Sequence, residues 1–384
     1  MRFSRGLSVI GLLAVGGVAS AADAPAAPAA PAAAVPSFAD MLTNWGLTAS
    51  GYVAASYYAS NGYPGNIHQF DTKHNTFQLD EAGFQLAYQP KQGFGALVDV
   101  IAGEDARILK AAEGGQSGDS GGTVDVRQAY LQYAGGPLTV IAGKFVTLAG
   151  AEVINPTLNT NFSRSILFFD SEPLTHTGVR ATWAVNDTLN LIAGVNNGWN
   201  TTDTDFGSKT GEVGAAWTPN KIFSLTAQAY FGKAGSYSAF DSDRTLIDVV
   251  ATYNATSSLT FVLNADWDQQ QDGVTNAFGM AHSATWGGIA GYVNYAFNDQ
   301  WRVSTRIEYF NDKDGFATGT EQHLWEGTVT FGYAPTKSFE LRAELRYDSA
   351  QDPAAFVRGI EPATTFGSNL SEIALQGVYK FSAP

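Results

Sequence analysis

The chain has 384 residues, no cysteine, 22 basic against 36 acidic side chains and a net charge of −14. That acidity argues against nucleic acid as a partner, because phosphate binding needs clustered Lys and Arg, and the missing thiols exclude disulfides and thiolate metal sites. With 41 glycines, 12% aromatics and only 15% charged residues, the composition favours strands and turns over helices.

At the N-terminus Arg2 and Arg5 precede an apolar run from Leu7 to Val18 and the small residues Ala19, Ser20 and Ala21. This order predicts a secretory signal peptide over residues 1–21, cleaved after Ala21. The run falls short of the roughly 20 apolar residues of a spanning helix, and no later stretch approaches that length. Residues 22–46 follow as an Ala/Pro-rich periplasmic linker, ending in a short helical turn over 37–45.

From residue 47 the chain repeats one device, about ten residues of alternating polarity and then a turn or loop. Sixteen strands are predicted, at 47–59, 76–89, 94–106, 124–134, 138–147, 175–185, 188–198, 209–218, 223–233, 244–254, 258–269, 284–297, 301–311, 321–334, 339–348 and 370–381. In the fifteenth, Phe339, Leu341, Ala343, Leu345 and Tyr347 oppose Glu340, Arg342, Glu344, Arg346 and Asp348. Such a strand has one apolar and one polar face. Phe77 and Leu79 run out of phase with Phe84, Leu86 and Tyr88, which requires a bulge near Asp80. The segment from Leu138 to Phe145 can face either way.

A soluble sandwich also alternates, and two features set this chain apart from one. The apolar faces begin or end on aromatics (Trp183, Trp217, Tyr253, Trp267, Phe297, Trp301, Tyr333, Phe339, Tyr347), as in the girdles at two membrane interfaces. Short connections also alternate strictly with longer ones, as periplasmic turns do with external loops. The expected fold is therefore all-β, a closed antiparallel transmembrane barrel over 47–384, with sixteen strands as the simplest closure within a range of 14 to 18.

The residues Gly143-Lys-Phe145, Gly150, Glu152, Asn155, Asn161, Ser163-Arg-Ser165, Phe168, Pro173 and Thr175-His-Thr-Gly-Val-Arg180, in this order, resemble the OmpL-like family of β-barrel porins. The opening strand Gly51-Tyr-Val-Ala-Ala-Ser-Tyr57 is similar to that family's first strand. The segment Gln376-Gly-Val-Tyr-Lys-Phe381 is similar to the aromatic final strand that outer-membrane insertion machinery recognises, although here Ser382, Ala383 and Pro384 follow it. The resemblance implies a pore in the outer membrane of a Gram-negative bacterium and identifies no solute.

Motifs for chemistry are sparse. Gly118-Asp-Ser-Gly-Gly122 matches the string around a trypsin-like nucleophile but lies in a Gly/Ser-rich loop, without the fold or cysteines of such enzymes. The histidines at 68, 74, 176, 282 and 323 show no metal-ligand spacing and are read as solvated or interfacial. The pairs Asp266/Asp268 and Asp312/Asp314 are read as solvated rim carboxylates. No catalytic residue, metal or cofactor is expected. His176 with Ser163 or Asp170 is the one arrangement that would suit an outer-membrane hydrolase.

A sixteen-stranded bore is too wide for side chains to fill, so the expected function is passive diffusion of small hydrophilic solutes or ions. The expected partners are outer-membrane lipid and those solutes, with homo-oligomerisation left open. The assigned facing puts Asp99, Glu212, Asp248, Asp266, Glu308, Glu326, Glu340, Glu344 and Glu372 inward with Arg180, Arg302, Arg306, Arg342 and Arg346. The third external loop, entered at Thr147, carries Glu152, Arg164, Asp170 and Glu172 with Phe162, Phe168 and Phe169. By similarity of position to general porins it folds into the lumen as a constriction, its acids facing the wall arginines and its aromatics packed on the wall. The excess of acid predicts a mild cation preference. The alternative reading is a structural or adhesive barrel whose lumen is closed by loops and salt bridges.

Overall fold

A computed structural model describes residues 38–63, 67–113, 122–202, 207–233, 242–275, 279–358 and 365–383. The expected signal peptide, most of the linker and Gly118 to Gly121 lie outside the described residues. A helix, α1 (Phe38–Trp45), precedes the first strand where a helical turn was expected. The strands are β1 (Thr48–Ser60), β2 (Thr76–Tyr88), β3 (Gly93–Ala102), β4 (Val124–Gly135), β5 (Leu138–Val146), β6 (Thr175–Asn186), β7 (Leu189–Asn196) and β8 (Thr210–Trp217). They continue as β9 (Phe223–Lys233), β10 (Asp243–Asn254), β11 (Leu259–Thr275), β12 (Ala281–Ala296), β13 (Trp301–Asp312), β14 (Gln322–Thr336) and β15 (Phe339–Ala350). A small hairpin, β16 (Phe356–Arg358) and β17 (Thr365–Gly367), stands in the last long connection before β18 (Asn369–Ala383).

Sixteen of these strands close one antiparallel barrel in which β1 to β15 pair in chain order and β18 pairs with both β15 and β1. At that seam Gly51 lies opposite Phe381, and the Phe381 ring covers the place a Cβ on Gly51 would need. The closure explains how so polar a chain can cross a bilayer: every strand has two neighbours and no backbone edge faces lipid.

The polarity is inverted relative to a soluble protein. On β15 Leu345 is 59% exposed while its neighbour Arg346 is 3% exposed. Only a hydrocarbon surround makes that arrangement favourable. Trp183, Trp217, Tyr253, Trp267, Phe297, Trp301 and Tyr347 are all exposed, and Trp301 stacks on Tyr333 with ring centroids 4.4 Å apart.

Bulges shape the interior. Ala54 faces Glu81 and Ala55 faces Leu79, so Asp80 is the inserted residue. The bulge turns both Asp80 and Glu81 inward and returns Phe77, Leu79 and Phe84 to the outer surface. A second irregularity, at Asp99/Val100, skips Arg127 on β4. Arg127 is thereby buried, with Nη1 2.8 Å from Glu81 and Nη2 2.8 Å from Asp99. In β5 the facing left open by the sequence is inward for Phe145, whose ring lies under the Arg180 guanidinium.

One predicted element is corrected. The third strand ends at Ala102, not at residue 106, and Glu104–Glu113 forms helix α2. Glu104 and Asp105 in its first turn and Lys110 in its last suit the helix dipole. Ala106 and Leu109 pack with Ile101, Phe70 and Phe168, a cluster that rewards a helix over a longer strand.

Candidate permeation site

The connection 147–174 between β5 and β6 runs through the barrel interior. Its first leg is tied to β9, β10 and β11: Leu148 N donates to the Tyr230 hydroxyl at 3.2 Å, Gly150 N to Asp248 at 3.1 Å and Ala151 N to Asn264 at 2.7 Å. A short 3-10 turn (Pro156–Leu158) follows, capped by Asn155, and then a one-turn helix, α3 (Ile166–Asp170), capped by Ser165.

The second leg lies on the β13–β15 wall, where wall side chains meet loop backbone. Glu344 accepts from Phe162 N and Ser163 N at 2.6 and 2.9 Å, and Glu308 accepts from Ile166 N and Leu167 N at 2.7 Å each. Arg302 donates to Thr160 O at 2.7 Å, Arg342 to Pro156 O at 3.0 Å and Arg346 to Arg164 O at 2.6 Å. Arg306, fully buried, donates to Ser163 O, Ser163 Oγ and Arg164 O while pairing with Glu152 at 2.7 Å and Glu326 at 2.9 Å. The loop has little regular structure, so its backbone groups need partners inside the barrel, and these charged side chains supply them.

The predicted wall residues Arg302, Arg306, Glu308, Glu340, Arg342, Glu344 and Arg346 thus come together, with Glu340 bridging Arg302 and Arg342 at 2.6 and 2.9 Å. Arg180 stands apart from that wall, paired with Glu212 at 2.9 Å.

One expectation about the loop is corrected, that its acids face the wall arginines. Of its acids only Glu152 meets a wall arginine. Asp170 and Glu172 are buried near other carboxylates, Asp170 by Asp312, Glu308 and Asp268, and Glu172 by Asp248, Glu152, Glu308 and Asp268. Burial first, and then these neighbours, pushes both well above the usual carboxylate range. Gly150, at φ +86°, leaves the space that the Glu172 carboxylate fills. Arg164 braces the loop itself, donating to the carbonyls of Val153, Phe162 and Ile154 and lying over the rings of Phe70 and Phe168.

Other residues read as solvated are buried. Asp266 and Asp268 face the interior, and Asp312 accepts from Phe316 N and Thr318 N. His68 is enclosed in an ion-pair cluster, with Nδ1 2.6 Å from Asp71 and Nε2 3.4 Å from Asp348. The hydrolase arrangement does not assemble: His176 stacks on Tyr230 at 4.9 Å, and neither of its ring nitrogens bonds Ser163 or Asp170.

Among the described residues, Asp170 Oδ2, both Glu172 oxygens, Asp266 Oδ2 and both Asp268 oxygens are buried without a hydrogen-bond partner. The loop separates two cavities. The one on the long-loop side, about 590 Å³, is lined by Asp170, Glu172, Trp199, Arg244, Trp286 and Phe316 among others. The one on the turn side, about 470 Å³, is lined by Thr157, Thr160, Arg302, Glu340, Arg342 and Lys380 among others.

A closed barrel with an apolar exterior, a charged interior and a long loop tied across its lumen defines an outer-membrane protein of the porin class. The chain belongs to the family described as "Putative beta-barrel porin-2, OmpL-like", which it matches over residues 46–381. Its fold is similar to the anion-selective porin from Comamonas acidovorans, with TM-score 0.61 and 10% identity over 87% of this chain and 99% of that one. It is also similar to the outer membrane channel DcaP of Acinetobacter baumannii, with TM-score 0.58 and 11% identity over 87% and 97% of the two chains. The trimer form of OmpT of Vibrio cholerae gives TM-score 0.58 and 12% identity over 87% and 99%. No curated protein matches the chain by sequence.

Proposed function

We propose that this porin passes small hydrophilic solutes and ions by passive diffusion with a preference for cations. The observation that carries the selectivity is the division of charge inside the barrel. The arginines of β13 and β15 are engaged by loop carbonyls and by Glu152, Glu326, Glu340 and Asp348, and the acids on the inward faces of the strands, Asp99, Glu212, Asp248, Glu308, Glu326 and Glu344 among them, outnumber the arginines there. Carboxylates in a narrow passage of low dielectric raise the local cation concentration. Reversal potential across a KCl gradient in a planar bilayer tests this. Ohmic steps with a cation-selective potential that weakens at high salt are expected, and an anion-selective potential overturns the selectivity.

A second reading, a non-conducting structural barrel, is favoured by the packing of α2 on the loop, where Ala106 and Leu109 meet Phe168; a silent bilayer supports it. Export through a cleaved signal peptide at residues 1–21 and a periplasmic linker at 22–46 belong to the main proposal. So does self-association, which the trimeric form of the similar OmpT barrel supports.

A further inference from the structure

The inward faces of the strands carry more acids than arginines, but the turn end of the lumen reverses that balance. The cavity of about 470 Å³ there is lined by four bases, Arg302, Lys337, Arg342 and Lys380, against two acids, Asp299 and Glu340. Glu340 is shared between Arg302 at 2.6 Å and Arg342 at 2.9 Å, so one carboxylate answers two guanidiniums. Lys337 and Lys380 are exposed, and among the described residues neither ammonium has an ion-pair or hydrogen-bond partner.

The fold holds these lysines at the cavity. Lys380 continues the lumen face of β18 after the buried Gln376 and Val378, while Tyr379 and Phe381 on the other face stand exposed. Its backbone N–H donates to Ser338 O at 2.8 Å, which seats it beside the β14–β15 turn that carries Lys337. The loop's 3-10 turn lines the opposite side, pinned where Arg342 donates to Pro156 O at 3.0 Å and Arg302 to Thr160 O at 2.7 Å. The Arg302 side chain remains 22% exposed. Gln300, Thr336 and Ser338 also line the cavity, and their side chains have no hydrogen-bond partner among the described residues.

We propose that this cavity binds small hydroxylated dianions, such as hydroxy-dicarboxylates, from the periplasmic side. The excess of two bases in its lining matches a dianion, and the open amide and hydroxyls match a ligand that carries hydroxyl groups of its own. Chloride would meet the charge and leave those groups to water. A neutral polyol would do the reverse. The short-turn end faces the periplasm in barrels of this class, so an anion reaches the cavity without crossing the rest of the lumen. The proposal goes beyond the cation preference of the lumen and does not depend on it.

The test is calorimetric titration of the full mature protein in detergent micelles, at about 20 mM salt, where screening is weak. The probes are tartrate, threitol, which has the same carbon skeleton with hydroxymethyl groups in place of the carboxylates, and succinate, a dianion without hydroxyls. Tartrate should bind saturably with Kd of about 1 mM or tighter, threitol at least about tenfold more weakly and succinate at least about threefold more weakly. Salt at about 0.5 M should weaken tartrate by about tenfold. The double variant Lys337→Gln with Lys380→Gln changes exposed side chains without partners, so it should fold as the parent does and weaken tartrate by about tenfold or more. Absence of saturable binding up to about 10 mM, equal binding of threitol or of succinate, or unchanged affinity in the lysine variant overturns the site. Titration needs no conduction, so reversal potential in KCl tests the selectivity separately. Tartrate binding by a silent or anion-selective barrel leaves the site standing, and a cation-selective channel that binds no tartrate removes the site alone.

Discussion

Arg306 is a residue whose surroundings show how the lumen is held. It has no exposed surface, yet all its nitrogens find oxygens, on Glu152, Glu326, Ser163 and Arg164. Arg306→Met should therefore cost about 3–5 kcal/mol, because it leaves buried carboxylates unpaired. Adding Glu152→Gln and Glu326→Gln should recover most of that loss. Urea unfolding in micelles measures both, and a single variant as stable as the parent would refute the pairing. His68 is the second such residue. Burial and Arg346 oppose its protonation, but Asp71, Glu372 and Asp348 together prevail and raise its pKa from 6.5 to about 10. A folded pKa above the unfolded one means that the stabilisation is complete below 6.5 and is lost as pH rises through about 10. Asp71, held below its usual range against burial chiefly by His68, contributes in the opposite sense: its part is present above its ordinary value and lost as pH falls below it. The segment 67–75 should stay clamped to β15 and β18 at neutral pH and loosen in strong base. Because the chain has no cysteine, a spin label at Lys73→Cys reports this cleanly. Equal mobility at about pH 7 and about pH 11 would count against the clamp.

At the scale of elements, the strands were legible because alternation with period two survives any tertiary context that has an inside and an outside. The bulge at Asp80 was legible too, as a break in the phase of Phe77 and Leu79. Arg127 was not, since a single polar residue gives no phase signal when its neighbours Asp125 and Gln128 are polar as well. Helix α2 was hidden because the apolar residues that bury it, Phe70 and Phe168, come from two other connections. The inward course of 147–174 rested on likeness of position, and its anchoring by backbone groups had no trace in the spacing of its side chains. Deleting residues 155–170 should enlarge the single-channel conductance, because it removes the segment between the two cavities. It should also lower stability by freeing Arg342, Arg346, Glu308 and Glu344 from their loop partners. An unchanged conductance in bilayer recordings would show that this segment does not limit flow.

For the whole molecule, the first and last strands pair with Ala49 opposite Ala383, so the barrel begins and ends at the short-turn end, which faces the periplasm in barrels of this class. A chain that must reach that membrane needs an export signal, and cleavage after Ala21 should leave a mature protein starting Ala22-Asp-Ala-Pro. Intact mass of outer-membrane material checks this, and retention of residues 1–21 would defeat it. The sequence by itself determined the barrel, sixteen strands as its simplest closure and, β5 apart, which face of the strands meets lipid, because those follow from local alternation and from the lengths of connections. It also marked the inward arginines and acids as a set. Which carboxylates the arginines neutralise, and which are buried among other acids, only the tertiary structure decided. Glu152 and Arg306, or Glu172 and Asp248, are far apart along the chain and meet only when the loop lies inside the closed barrel. Charge compensation depends on distance and burial, and neither can be read from order along a chain.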